Sequence, residues 1–293
     1  MRNLSLLERP DWKIDRPIPK IDLSRNVHYD ATLIKQINYE LTQHTSFHDY
    51  PNQYNLYTAI SSYYNIPLEQ LTIGYGGTEI IERIFKSLPF DDVYIVEPTF
   101  EMIQVYCALY NKRFHIISLE DLPTVSGGTL YIANPSGNTG DVIDLIPYIN
   151  NFELCILDEA YADFCTTHSV LSHNFDNVIV VKTLSKSLGI AGFRVGFCKA
   201  NKTVTELLQA TRSNFICSSF ASAIVPKIIT HTKAVVSRML ETKLILESMY
   251  SCKASSANYV LFKNPNKYTD KFNARVVQGY YRMALIDKET LIK

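Results

Sequence analysis

Residues 178–199 read VIVVKTLSKSLGIAGFRVGFCK, and this stretch decides the fold. Val178 to Val181 are apolar at consecutive positions and read as a buried strand. Thr183, Ser185 and Lys186 follow in a Ser- and Gly-rich loop, with Arg194 eight residues beyond the lysine. A lysine just past a buried strand, flanked by hydroxyls and small residues, is poorly explained as a solvated surface charge. Working outward, β-rich runs recur as LTIGYG (71–76), DVYIVEP (92–98), RFHIISL (113–119), TLYIAN (129–134), ELCILDE (153–159), DNVIVVKT (176–183) and FRVGFCK (193–199). Segments of helical period separate them. The expected fold is therefore α/β, a mostly parallel seven-stranded sheet sandwiched by helices.

On either side of this block the texture differs. Ala31 to Tyr64 is polar and aromatic-rich and reads as helical, broken by Pro51 and Pro67, forming a layer on the sheet. After about residue 200 come long helical patterns, VTELLQATR (204–212) and KAVVSRMLETKLILESMY (233–250), then short strands near NYVLF (258–262) and GYYRMAL (279–285). The division expected is a large domain over 31–205, with 1–30 and 206–293 forming an N-terminal arm and a smaller α+β domain. No Gly- or Ser-rich linker separates them, which implies a tight interface.

Lys+Arg and Asp+Glu number 29 each in 293 residues, so no basic excess exists to neutralise nucleic acid. The start, MRNLSLLERPDW, lacks an apolar core, and no run reaches the roughly 18 to 20 apolar residues of a membrane span. A soluble, cytoplasmic protein without nucleic-acid or membrane partners is expected. The six cysteines, 107, 155, 165, 198, 217 and 252, are far apart with no C-x-x-C pair, and read as reduced core residues.

In open α/β sheets ligands bind beyond the carboxyl ends of the strands, so the polar residues just past each run carry the chemistry. After LTIGY, Gly76, Gly77 and Thr78 open a helix whose free N–H groups suit a phosphate, although a plain turn is the competing reading. After TLYIA stands Asn134, a hydrogen-bond donor or simply part of an Asn-Pro turn. After ELCIL stands Asp158, which needs a cationic partner, either a salt bridge or a protonated pyridine nitrogen. Ala160 is small enough for a flat ring to lie against the chain, and Tyr161 offers a hydroxyl, though a chain with nineteen tyrosines buries many of them for packing. The fourth run delivers Thr183, Ser185, Lys186 and Arg194. Together these supply an amine, an acid, hydroxyls and a guanidinium, which are the requirements of pyridoxal 5'-phosphate.

In YPNQYNLYTAIS, GYGGTE, VEPTFEM, ANPSGN, LDEAYADF, TLSKSLGIAGFRVGF, SSANYV and GYYRMAL, from about Tyr50 to Arg282, the chain resembles the fold-type I pyridoxal-phosphate aminotransferases of the histidinol-phosphate aminotransferase-like branch. The resemblance implies that Lys186 forms the Schiff base and shuttles the proton. It also implies that Asp158 pairs with the pyridine nitrogen and that Asn134 and Tyr161 bind the ring hydroxyl. Gly77, Thr78, Thr183, Ser185 and Arg194 would hold the phosphate, and Phe100 would stack on the ring. Arg282 would receive the substrate carboxylate, with Asn134 also beside the substrate. Tyr50 would reach the neighbouring subunit's phosphate, implying a homodimer with shared sites. The substrates implied are an L-amino acid or amino-phosphate, histidinol-phosphate-like or aromatic, and a 2-oxo acid. Two other activities fit the same motifs: decarboxylation of a phosphorylated amino acid, and non-catalytic cofactor binding.

Departures from the family pattern gather in the small domain. The N-terminal Asn-Glu-Asn-Pro stretch appears as Arg25-Asn26-Val27-His28-Tyr29, and only eleven residues follow Arg282, a trimmed terminal helix. Arg275 reads as surface charge or a second anion ligand. His44, His48 and Asp49 read as a helix-surface group rather than metal ligands, since no zincin glutamate lies between the histidines.

Overall fold

The computed structural model describes residues 21–44 and 48–292. Two helices come first, α1 (Ala31–Thr42), capped by the Asp30 carboxylate on Leu33 N–H, and α2 (Tyr54–Tyr64). The α/β block follows as β1 (Leu71–Tyr75), α3 (Gly76–Ser87), β2 (Asp92–Val96), α4 (Met102–Leu109), β3 (Arg113–Ile117), β4 (Thr129–Ala133), β5 (Leu154–Asp158), β6 (Val178–Thr183), the single turn α5 (Leu184–Ser187) and β7 (Val195–Lys199). All seven apolar runs are strands of one sheet, ordered β1-β7-β6-β5-β4-β2-β3. Only β7 runs against its neighbours. The pairings among β2 to β6 are parallel.

The continuous apolar runs are explained by burial on both faces. On one face Tyr131, Ile156, Ile179 and Val181 pack under Ile80, Ile84 and Phe85 of α3 and Ile103 of α4. On the other, Leu130, Ile132, Cys155, Leu157, Val178 and Val180 pack against Leu122, Leu145, Ile149 and Val170. This second layer differs from the expected helical cover: the connections flanking β5 contain short 3-10 turns at 146–151, 162–164 and 166–168. Pro147 and the Asn150-Asn151 pair disfavour a longer α-helix there.

After the sheet come α6 (Lys202–Ala210), α7 (Ser219–Ile228) and α8 (Thr232–Met249), then β8 (Cys252–Lys253), β9 (Tyr259–Phe262), α9 (Lys267–Lys271), β10 (Arg275–Val277), β11 (Tyr280–Ala284) and α10 (Lys288–Ile292). The two small-domain strands expected from sequence are thus part of a four-stranded antiparallel sheet, β10-β11-β9-β8. Residues 23–29 run along its edge. Leu23 N–H donates to Phe272 O and its carbonyl accepts from Ala284; Tyr29 N–H donates to Leu285 O and its carbonyl accepts from Asp287. A single apolar cluster joins Leu33 and Ile37 of α1, Leu71 and Phe197 of the large sheet, Val225 of α7, Met239 of α8, and Val260 and Met283 of the small sheet.

Candidate active site

The carboxyl ends of β4, β5 and β6 and the N-terminus of α3 open on one cavity of about 650 Å³. Its phosphate-sized end depends on glycines. Gly76 starts α3 at φ +80°, a left-handed conformation, and a Cβ there would lie 2.4 Å from Arg194 Nη2. A Cβ on Gly196 would lie 2.4 Å from the backbone of Gly76 and Gly77. Without side chains at these positions, β7 and the first turn of α3 touch, and Gly77 and Thr78 of that turn, where a helix start leaves N–H groups free, line the cavity. Gly77, Thr78, Thr183, Ser185 and Arg194 all line this end. Thr183 Oγ1 donates to Val195 O at 3.1 Å, accepts from Ser185 N at 3.2 Å and lies 3.0 Å from Ser185 Oγ. Arg194, itself at φ 53°, reaches Tyr75 O at 3.4 Å and Ala191 O at 3.3 Å.

Lys186 projects from α5 into the middle of the cavity, where its Nζ donates to Arg25 O at 3.1 Å. Burial, then the Arg282 and Arg194 guanidiniums, push its pKa down to about 7, with Asp158 opposing. Asp158, at the end of β5, accepts from Ala160 N–H at 3.0 Å and Tyr131 Oη at 3.1 Å. Burial raises its pKa, while those two donors and Lys186 and Lys182 work to keep it ionised. Tyr161 lies edge-on to Tyr259 with ring centroids 6.0 Å apart, and Lys186 Nζ sits 5.7 Å from its ring centre. Arg282, on β11 opposite Arg275 of β10, donates from Nη1 to Gly137 O at 2.9 Å, and its buried Nε has no partner. Arg275 and Phe100 also line the cavity, so the arginine read as surface charge faces the site.

Two expected residues are placed elsewhere. Asn134 is buried with its amide spent on one loop: Nδ2 donates to Ile143 O at 2.9 Å and Oδ1 accepts from Ile143 N at 3.1 Å, and it does not line the cavity. Tyr50 is 76% exposed and stacks on Phe215 at 3.9 Å, outside the cavity lining. The helix-surface reading of His44 and His48 is corrected, because α1 ends at Thr42; His44 packs on Phe220 and His48 pairs with Asp49 at 3.2 Å. Among the described residues no group of three His, Cys, Asp or Glu is placed to hold a metal ion.

Asn26, Arg25 and Gly137 line the cavity too, and none was singled out as a ligand from sequence. Arg25 and Asn26 were signalled only by the RNVHY stretch, read as a departure from the family pattern, and Gly137 only by its place in ANPSGN. A second cavity of about 990 Å³ lies between α2, α8 and the turn after β5, beside Lys182, Lys199 and Asp163. It is the larger, but its two buried cations are committed: Lys199 Nζ donates to Leu171 O, His173 O and Asn174 Oδ1, and Lys182 lies 3.4 Å from Asp163 and 3.9 Å from Glu159. The smaller cavity holds the amine, the acid and the anion cradle together. That donor set fits pyridoxal phosphate: an amine of lowered pKa for an aldehyde, a carboxylate for a ring nitrogen, and glycine-opened backbone with Arg194 for a phosphate.

Comparison with known proteins agrees with this geometry. The family model for aminotransferase class I and II matches residues 18–256. The chain belongs to that family. Among relatives of this aminotransferase-family chain, the histidinol-phosphate aminotransferase of Thermococcus kodakarensis is 27% identical over 214 residues, covering 68% of the chain and 64% of that protein. The histidinol-phosphate aminotransferase of Pseudomonas putida is 26% identical over 266 residues, covering 81% and 76%. The chain thus spans between about two thirds and three quarters of these relatives' length. In fold it matches the L-threonine-O-3-phosphate decarboxylase of Porphyromonas gingivalis, with a TM-score of 0.76, 15% identity, and coverage of 92% and 95%. It also matches the Sinorhizobium meliloti histidinol-phosphate aminotransferase in complex with pyridoxal-5'-phosphate, with a TM-score of 0.73, 16% identity, and coverage of 92% and 87%.

Proposed function

We propose that this chain is a pyridoxal-phosphate-dependent aminotransferase moving an amino group from an L-amino acid or amino-phosphate to a 2-oxo acid. The observation that carries this reading is Lys186, an amine brought to about 7 between Asp158 on one side and the Arg194 cradle on the other. Pyridoxal phosphate, when bound, supplies an aldehyde that condenses with amines and a ring that withdraws electrons. Everything else falls to the chain's own residues. Lys186, its pKa lowered by burial to about 7, is a nucleophile and then a base for the Cα proton of the donor. Asp158 holds positive charge at the ring nitrogen. The first turn of α3, Thr183, Ser185 and Arg194 bind the phosphate. Arg282, whose Nη1 donates to Gly137 O, lines the cavity where a donor carboxylate would sit, and Arg275 and Arg25 add positive charge to the same lining.

The proposal extends to a homodimer, because Tyr50 and Phe215 form an exposed aromatic pair that a second copy would cover. It extends also to the cytoplasm, since all six cysteines are free thiols, four of them buried, as a reducing compartment allows.

The test is an absorbance spectrum with pyridoxal phosphate, before and after adding histidinol phosphate, glutamate or aromatic amino acids. Conversion of the lysine-linked band to that of the aminated cofactor, with an oxo product, is the expected result. Carbon dioxide release instead would mark a decarboxylase. A Lys186→Ala variant that turns over normally would refute the assignment.

A further inference from the structure

One amide on the cavity wall has no role in the reading above. Asn26 is 4% exposed, and its Nδ2 donates to Tyr161 Oη at 2.9 Å and to Gly137 O at 3.3 Å. The orientation is fixed by chemistry: turning the amide over would set Oδ1 against the Gly137 carbonyl, acceptor against acceptor. An amide nitrogen cannot accept, so in this pair the phenol oxygen is the acceptor and its own proton must point elsewhere. Among the described residues no protein group accepts that proton, and Tyr161 lines the cavity. Asn26 Oδ1 is itself buried without a partner.

We infer that Asn26 is a positioning residue that turns the Tyr161 hydroxyl into a donor toward the cavity, and so toward the ring oxygen of the cofactor. This rests on the cofactor assignment above. The placement is built in from several sides. Asn26 adopts φ 55°, which asparagine tolerates better than most residues, and its carbonyl accepts from the fully buried Asn258 Nδ2 at 3.0 Å. Leu23 and Tyr29 tie the segment to the small sheet on either side. Gly137 leaves room, since a Cβ there would stand 3.0 Å from the Tyr161 ring. Asn134, the amide that sequence suggested for the ring oxygen, is turned onto Ile143, so the amide at this point comes from the N-terminal segment instead.

The charged and titratable groups around Tyr161 are Lys186, Arg282, Asp158 and Tyr259. A donor on the cofactor's ring oxygen stabilises its anion and thereby lowers the pH at which the linked lysine nitrogen loses its proton. Asn26→Asp keeps the shape and tolerates left-handed backbone, yet presents an acceptor to Tyr161 and reverses the hydrogen bond. Asn26→Gly removes the amide and relieves the backbone. Both variants, loaded with pyridoxal phosphate, should raise the pH midpoint of the visible absorbance band by about 1 unit. Tyr161→Phe should do the same, and adding Asn26→Gly to it should give no further shift. Melting of the cofactor-free variants checks that they fold. A wild-type midpoint in both Asn26 variants, alongside a shifted Tyr161→Phe, overturns the inference while leaving the cofactor reading intact. An unshifted Tyr161→Phe overturns the role of both residues. Absence of any lysine-linked band in the wild type overturns the cofactor reading, and the inference with it.

Discussion

Replacing Lys186 by Met should make the cofactor-free chain more stable at neutral pH, with the gain vanishing in alkali. Burial, then Arg282 and Arg194, push the Lys186 amine from its ordinary 10.5 to about 7, against the pull of Asp158. Between those values the unfolded chain holds a proton that the folded chain has shed. Wild-type stability therefore climbs as pH rises through this window, and below pH 7 the folded state carries the whole penalty of charging the amine. At about 1.4 kcal/mol per pKa unit the ceiling is about 5 kcal/mol. Lys186 is only half-buried, and solvent screening reduces the expected effect to about 2 to 3 kcal/mol. Methionine has similar length and no charge, so its stability curve lacks this limb. Lys199 and Lys243, whose pKa values are also lowered by burial, titrate alike in both proteins and cancel in the difference. Urea unfolding of both cofactor-free proteins between about pH 6 and pH 10 measures that difference directly. A gap that is absent, or that stays constant across the range, would refute the claim that the fold holds an amine it would rather keep neutral.

Two further outcomes are expected. His28 is buried, and burial pushes its pKa down to about 4, Asp30 opposing. Its neutral form favours the folded state at pH above 6.5, and about 3 kcal/mol of that is lost as pH falls from 6.5 through 4. His28→Leu should flatten the acid side of a melting-temperature profile, and an unchanged profile would remove His28 as its cause. Gly196→Ala should cost about 1 to 3 kcal/mol and weaken pyridoxal phosphate binding, because the new Cβ meets the backbone of Gly76 and Gly77. Gly192→Ala, with nothing within 4 Å, is the neutral control, and equal melting and cofactor affinity in the two variants would contradict this view of the cradle.

The large sheet was legible in the sequence because burial wrote its central strands as apolar runs, β6 and β7 being buried throughout, while the edge strand β3, mostly exposed, was marked by its β-rich RFHII. The small sheet was half legible. Its β8 has two residues and its β10 is mostly exposed, too short and too wet to show a period. The residues just beyond β1, β5 and β6 converge as strand-end reasoning requires. Asn134 shows the limit of that reasoning, since standing past a strand does not say which way a side chain turns. The Ile143 backbone, nine residues on, offers its amide a complete pair of partners. Asn26 shows the converse: it reaches the site through a left-handed backbone and pairings with residues more than a hundred positions away, none of which leaves a local signature.

The apolar cluster that runs from α1 through the large sheet to α7, α8 and the small sheet has a bearing on how the molecule comes apart. Val260 and Met283 share that cluster with Leu71 and Phe197, so neither sheet keeps a complete interior once the other is lost. Heat should dissolve both together in one cooperative step. A fragment cut near residue 205 would carry a raw apolar flank where α7 and α8 had been, suited to clumping rather than to folding on its own.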